Sequence, residues 1–197
     1  LSASNTDILG ITRDLMKKAC KLAPESSEYL IEHGFQLQLL GEYQEAIDLY
    51  TQAGQFDDMN PKCLYASLQC QILMGRISEA QSQLRFLKEM TGEKENVAEL
   101  RLCEALIINA TSKDLTAMLS LVQESFNAQK KDLGRERSGY GAIVELCPPV
   151  LLLMAQVLLN HCPSYPDSYM GTTQTNCIEQ CIVILELLGR YAPGIAY

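Results

Sequence analysis

The residues of this 197-residue chain best able to do chemistry are two histidines and eight cysteines. His33 stands inside an apolar helical pattern, at a position where leucine would be expected. An imidazole there serves as a ligand or base only if it meets a second functional group; otherwise it packs with a hydrogen bond. We favour the packed and hydrogen-bonded imidazole, so His33 by itself predicts no catalytic site.

A second group combines His161 and Cys162 with Cys177 and Cys181, which are residue types that bind zinc. Cys177 and Cys181 are four residues apart on a predicted helix and therefore share one face. Structural zinc sites usually present two closely spaced pairs of ligands, and only one such pair is present here. We therefore favour buried thiols, and expect no metal and no cofactor.

Motifs for covalent or phosphate chemistry are also missing from the sequence. It contains no glycine-rich phosphate loop, no Ser-x-x-Lys and no Gly-x-Ser-x-Gly. The carboxylates fall on solvent-facing positions of predicted helices, where a charged face is the ordinary explanation. The sequence therefore predicts a protein that is not an enzyme.

Composition excludes several classes of partner. A net charge of −8 disfavours a nucleic-acid surface, and the one basic run, 130–137, is interpreted as a solvated loop rather than a docking patch. The longest apolar run, 150–159, is too short to span a bilayer, so we expect no direct membrane insertion. Cysteines on apolar helical faces are typical of reduced thiols, which predicts a cytoplasmic protein.

An internal repeat predicts the helices that would position these residues. Five identities recur at an offset of 34 residues: Leu30 and Leu64, Leu39 and Leu73, Gly41 and Gly75, Glu45 and Glu79, and Ala46 and Ala80. Each glycine can adopt φ > 0 and end one helix before a second begins. Each alanine is small, which suits a close approach of two helices. The repeat therefore predicts helical hairpins.

A 34-residue period with two helices per unit is typical of the tetratricopeptide repeat (TPR). It predicts an all-α, TPR-type solenoid of helical hairpins wound into a right-handed superhelix. We expect a half repeat at 1–25, full repeats at 26–60 and 61–94, and a divergent repeat at 95–131. A divergent hairpin with long polar loops is expected at 132–197 in the same solenoid.

Start and stop signals refine this prediction. Helices are predicted at 7–22, 26–40, 42–53, 96–110, 114–131, 150–161 and 177–190, with a helical pair across 61–90. Polar connections are predicted at 54–60, 132–141 and 163–176, and a short helical turn at 142–146. Because neither end of the chain resembles a polar capping repeat, we expect a fragment of a longer array whose cut ends allow self-association.

First helices of successive repeats line the concave groove of such a solenoid. In the repeat register the candidate partner-binding residues are Ile31, Phe35, Gln38, Tyr65, Gln69 and Ile72. Apolar groove residues favour an apolar helix or segment as ligand, although partial burial inside the superhelix explains the same residues. A carboxylate clamp of the chaperone-binding type is excluded, because its lysine and asparagine positions hold Ile31, Phe35, Ala66 and Cys103.

Three stretches carry a resemblance to one family. They are the run 67–87, the run 145–152 leading into Asn160-His-Cys-Pro163, and the run 176–186. The sequence resembles the tetratricopeptide repeat protein 21 family, the large TPR subunit of intraflagellar-transport complex A. This resemblance implies a non-catalytic scaffold of ciliary transport that contacts other complex A subunits at the cilium or basal body. It also implies support of retrograde movement and of cargo entry. The alternative is a stand-alone TPR adaptor for a short apolar peptide.

Overall fold

The computed structural model describes residues 2–57, 60–91, 97–112, 114–133, 148–162 and 172–191. All regular structure in these residues is α-helical, which confirms the predicted all-α helical-repeat fold. The helices are α1 (Ser2–Leu22), α2 (Ser27–Leu39), α3 (Tyr43–Phe56), α4 (Pro61–Leu73), α5 (Ile77–Thr91), α6 (Val97–Thr111), α7 (Leu115–Leu133), α8 (Pro148–Leu159) and α9 (Thr172–Tyr191).

The start signals that rest on local chemistry place their helices well. The Ser26 side chain accepts a hydrogen bond from the Tyr29 backbone N–H and caps α2. Asn60 caps α4 in the same way, and Pro61 occupies the first helical position, where its missing N–H costs no hydrogen bond.

Other predicted bounds were wrong. α1 begins at Ser2 rather than residue 7, and α3 continues to Phe56, which shortens the predicted connection 54–60. α9 begins at Thr172, so the last five residues of the predicted loop 163–176 are helical. Polar residues extend these helices because backbone hydrogen bonds continue until a cap or a steric block ends them. The predicted turn 142–146 and most of loop 132–141 lie outside the described residues.

Glycine turns join the helices of the first two hairpins in the same way. Gly41 and Gly75 have φ angles of 80° and 79°, a region that favours glycine over any residue with a Cβ. After each glycine the next backbone N–H donates to a carbonyl five residues earlier: Glu42 N to Leu37 O at 2.9 Å, and Arg76 N to Gln71 O at 3.0 Å. This pattern is the Schellman motif, and it confirms that the two glycines occupy equivalent positions.

The chain forms two compact units, Leu1–Glu89 and Met90–Tyr197. In the first unit α1 packs on α2, α2 on α3 and α3 on α4. Its central buried cluster contains Leu30, Leu37, Ala46, Tyr50, Ala53, Cys63 and Cys70. Ala46 and Ala80 are both fully buried, as the close-approach argument requires.

In the second unit α6 packs on α7 and α8 on α9, with smaller contacts of α6 to α8 and of α7 to α9. Its fully buried side chains include Leu102, Met118, Leu151, Leu158 and Ile184. No helix among the described residues is both long enough and apolar enough to cross a bilayer. The division of the chain into two units after Glu89 reflects the density of contacts within each unit. The repeat borders proposed from the sequence, including the one between residues 131 and 132, stay a prediction.

Candidate interaction surfaces

The six predicted groove residues are mostly inside the protein. Relative exposure is 7% for Phe35, 1% for Tyr65, 4% for Gln69 and 5% for Ile72. Only Ile31 and Gln38 are half-buried. Four of the six side chains therefore pack in the core, as the burial alternative described. Their role in binding a partner stays a prediction.

Two contacts between α2 and α3 help to explain why the predicted groove residues of α2 are not freely accessible. The Tyr50 hydroxyl of α3 donates to Gln38 Oε1 at 3.0 Å, so the Gln38 amide is engaged within the hairpin. The Tyr50 ring lies directly over Gly34, where a Cβ would come within 2.7 Å of Tyr50 Cε1. The aromatic ring thus takes the space between α2 and α3.

An open cleft of about 490 Å³ lies elsewhere in the first unit, between α1 and α3 over α2. Its lining comes from three helices: Arg13, Asp14 and Lys17 of α1, His33 and Leu37 of α2, and Glu45, Asp48, Leu49 and Gln52 of α3, with Glu42 at the α3 N-terminus. His33 and Leu37 are four residues apart and lie nearly opposite Ile31 and Phe35 on α2. His33 and Leu37 are themselves buried, and the exposed residues of α2 are Glu28, Tyr29 and Glu32.

Charge divides the cleft into two walls. Arg13 of α1 lies 3.3 Å from Asp14 Oδ1 and 3.7 Å from Glu42 Oε1, so its guanidinium is already paired. Lys17 stands on the same wall, whereas Glu45 and Asp48 stand on the α3 wall. Among the described residues, no ion pair involves Lys17, Glu45 or Asp48. Lys17, Glu45 and Asp48 therefore line the cleft without an ion-pair partner among the described residues.

His33 forms part of this cleft and contacts a cysteine of α1. His33 Nδ1 lies 3.8 Å from Cys20 Sγ, and that thiol donates to the Tyr29 carbonyl at 3.4 Å. Burial raises the pKa of Cys20. Burial, followed by the charges of Lys17 and Arg13, lowers the pKa of His33. Both shifts favour the neutral forms, whereas a nucleophilic pair needs thiolate and imidazolium. The pair is therefore a poor nucleophile.

A second open cleft, of about 500 Å³, lies between α7 and α9 in the second unit. It is lined by amide and apolar side chains, with one charge on each side: Leu119, Ser120, Gln123, Phe126, Lys130, Asn176, Glu179, Gln180 and Val183. The Lys130 ammonium lies 5.4 Å from the centre of the Phe126 ring. Gln180 Nε2 is buried and has no hydrogen-bond partner among the described residues.

The candidate zinc ligands form a packed region of the second unit. Cys177 and Cys181 are buried, and the Cys181 thiol lies 3.8 Å from the Ala155 carbonyl. Burial raises the pKa of Cys177 to about 11, so the free thiol is protonated at neutral pH. His161 Nε2 is 2.7 Å from Asn109 Oδ1 on α6. No group of three or more metal-binding side chains occurs in the part of the chain described.

Sequence reasoning missed both clefts. Each wall of the first cleft repeats at helical spacing, with residues 13 and 17 on α1 and residues 45, 48, 49 and 52 on α3. The spacing was visible in the sequence, but it is also that of any solvated helical face. Only the packing of α1 and α3 on α2 places the two faces opposite each other.

Comparisons with known proteins identify the chain's relatives. A sequence profile described as the second ARM domain of tetratricopeptide repeat protein 21 matches residues 1–197. The chain is 29% identical to human tetratricopeptide repeat protein 21B over 188 residues, which is 95% of this chain and 14% of that protein. It is 25% identical to human tetratricopeptide repeat protein 21A over 195 residues, which is 99% of this chain and 15% of that protein.

The chain thus spans about one seventh of the length of these relatives. The 21B protein of Xenopus laevis is 27% identical over 157 residues, or 80% of the chain. The profile match extends across both compact units, and so does the similarity to the two human proteins. The chain belongs to the tetratricopeptide repeat protein 21 family, whose helical repeats form a scaffold.

Proposed function

We propose that this chain is a non-catalytic part of a protein-interaction scaffold in intraflagellar-transport complex A. In this role it contacts other subunits of the complex at the cilium or basal body, and supports retrograde transport and cargo entry. The observation that carries the proposal is the family match over residues 1–197. Because the chain covers only 14% of human tetratricopeptide repeat protein 21B, the activity of the whole protein is part of the proposal.

The chemistry of the described residues supports a scaffold more than an enzyme. The Cys–His pair at Cys20 and His33 is held in its neutral forms, which are unreactive. Both clefts are open, and their charged and amide side chains are of the kind found at the polar rim of protein–protein interfaces. We propose no cofactor for either cleft.

The alternative, a stand-alone adaptor for a short apolar peptide, has less support. Such an adaptor needs its aromatic groove residues accessible to the peptide. Phe35 and Tyr65 are 7% and 1% exposed, so a peptide would have to displace core packing before it touched them.

Affinity purification of the full-length protein from ciliated cells tests the proposal. We expect other complex A subunits to be recovered, and the tagged protein to localise to the cilium or basal body. Recovery of chaperones without ciliary transport proteins would contradict it. Substituting Phe35 and Tyr65 by glutamate does not make a useful variant, because a buried charge at either position would unfold the first unit.

A further inference from the structure

We infer that the cleft between α1 and α3 is a docking site for a protein segment that carries both charges. An arginine or lysine of this segment would lie against Glu45 and Asp48, and an aspartate or glutamate would lie against Lys17. The inference rests on the proposed scaffold function, since it names the surface and the kind of partner that such a scaffold would use.

The first argument is the distribution of unpaired charge. Glu45 and Asp48 are exposed residues on one face of α3, three positions apart, and they converge on the same cleft. Lys17 is exposed on the facing helix. Arg13 is paired with Asp14 and Glu42 and so does not neutralise Glu45 or Asp48. A ligand with a cation on one side and an anion on the other satisfies all three at once.

The second argument is the histidine in the cleft. His33 is only 9% exposed and lines the cavity, and its Nδ1 faces Cys20. Because the Cys20 thiol proton is directed to the Tyr29 carbonyl, the imidazole N–H is assigned to Nδ1. Nε2 is then a lone-pair acceptor with no hydrogen-bond partner among the described residues. His33 lines the cleft and feels the negative charge of Glu45, so a guanidinium or ammonium in the cleft could donate to both groups.

The shape of the cleft favours a protein segment over a small ion. Its volume of about 490 Å³ is far larger than one cation needs, and Leu37 and Leu49 contribute apolar surface between the charged walls. No group of three or more metal-binding side chains is placed to hold an ion in the described residues. A segment that places its apolar stem over these leucines and its charges against the walls fits the lining.

The test uses the full-length protein and a phage-displayed library of random 16-residue peptides. We expect the selected peptides to pair a basic with an acidic residue. Replacing the basic residue by citrulline, an uncharged isostere, should weaken binding about fivefold, and Glu45→Gln should do the same. The two changes together should cost little more than either alone, because both remove one ion pair. In the same way, replacing the acidic residue of the peptide by glutamine and introducing Lys17→Gln should together weaken binding little more than either change alone.

The matched control is Glu79→Gln. Glu79 stands 34 residues after Glu45, in the first turn of α5, and is likewise exposed, so both variants lose the same helix-dipole contribution. Glu79 does not line the cleft. The inference is overturned if Glu45→Gln and Glu79→Gln bind the selected peptides equally well, or if the selected peptides carry no paired charges.

The same variants separate this inference from the proposed function. Recovery of complex A subunits that is unchanged by Glu45→Gln/Asp48→Asn refutes the docking site and leaves the assembly proposal intact. Charge-coupled peptide binding without recovery of any ciliary subunit supports the docking site and refutes the assembly proposal. Weakened recovery by this double variant, but not by Glu79→Gln, supports both.

Discussion

The α2–α3 hairpin and the α6–α7 hairpin have the same fold but are built from different local chemistry. The first turns through Gly41 at positive φ, and no side chain caps α3. The second begins α7 with Asp114, whose carboxylate accepts the backbone N–H groups of Thr116 and Ala117 at 3.1 Å. Glycine supplies the turn in one case, and a polar side chain supplies the helix start in the other.

The interiors of the two hairpins also differ: apolar packing fills the first, and a polar side chain joins the helices of the second. In the first, Ala46 is fully buried and Tyr50 covers Gly34. In the second, Ala117 is only half-buried, and the Ser125 hydroxyl of α7 donates to the Ala98 carbonyl of α6 in the core. The comparison teaches that the 34-residue repeat marks positions where small residues are needed. Where polar side chains join two helices, the repeat becomes hard to see.

Larger side chains at the helix–helix contacts should reveal the largest difference in stability between the two hairpins. Ala46→Leu is expected to lower the free energy of unfolding by about 1–3 kcal/mol, because the three additional heavy atoms of leucine must fit into a fully buried site. Ala80→Leu should act alike. Ala117→Leu should change stability by about 0.5 kcal/mol or less, since its site is partly open to solvent. Urea unfolding measures all three, and equal losses at positions 46 and 117 would show that the hairpins pack alike.

The turn glycine is expected to give the next largest effect. Gly41→Ala should cost about 1–2 kcal/mol, because alanine is strained at φ 80° although its Cβ would meet no neighbour within 4 Å. Gly54→Ala in α3 is the matched control. It also has open space but no positive φ, and should stabilise the helix by up to about 1 kcal/mol. Thermal unfolding should therefore move in opposite directions, and a shared direction would reject the glycine argument.

Removing the cap tests the corresponding position of the other hairpin. Asp114→Ala should cost about 1 kcal/mol, because two N–H groups at the start of α7 lose their acceptor. Asp114→Asn should keep most of that stability, since its side-chain oxygen still accepts both bonds. Circular dichroism during urea unfolding distinguishes the two variants; equal losses would assign the effect to charge rather than to capping.

A pH dependence should be the smallest difference and should belong to the first hairpin. Burial lowers the pKa of His33 from its ordinary value of 6.5, so the unfolded chain takes up this proton more readily than the folded chain. Stability from His33 is therefore fully present above the unfolded pKa and is lost as the pH falls through it. Between about pH 7.5 and about pH 5.5 the wild type should lose more stability than His33→Gln.

The difference between these two unfolding curves isolates His33, because the other titrating groups are shared. α6 and α7 contain no histidine, so this contribution has no counterpart in the second hairpin. Parallel stability curves for the wild type and His33→Gln would show that the imidazole ionises as freely in the folded protein as in the unfolded chain.

The sequence by itself determined the helical class, the glycine turns and the capped starts of α2 and α4. These features depend on hydrogen bonds and steric limits within about six residues, which the local sequence contains. It also predicted the family, which the profile match confirms. It did not determine where α1, α3 and α9 end or begin, because polar residues extend a helix without a distinctive signal.

Only the tertiary structure decided which helical faces are open. Periodicity placed Phe35 and Tyr65 on one surface but could not say whether that surface meets solvent or another helix. Lys17 and Glu45 are 28 residues apart, and Cys20 and His33 are 13 apart, yet each pair shares one cleft or contact. Such proximity follows from how whole helices pack, which depends on the shapes of many side chains at once and on no short pattern.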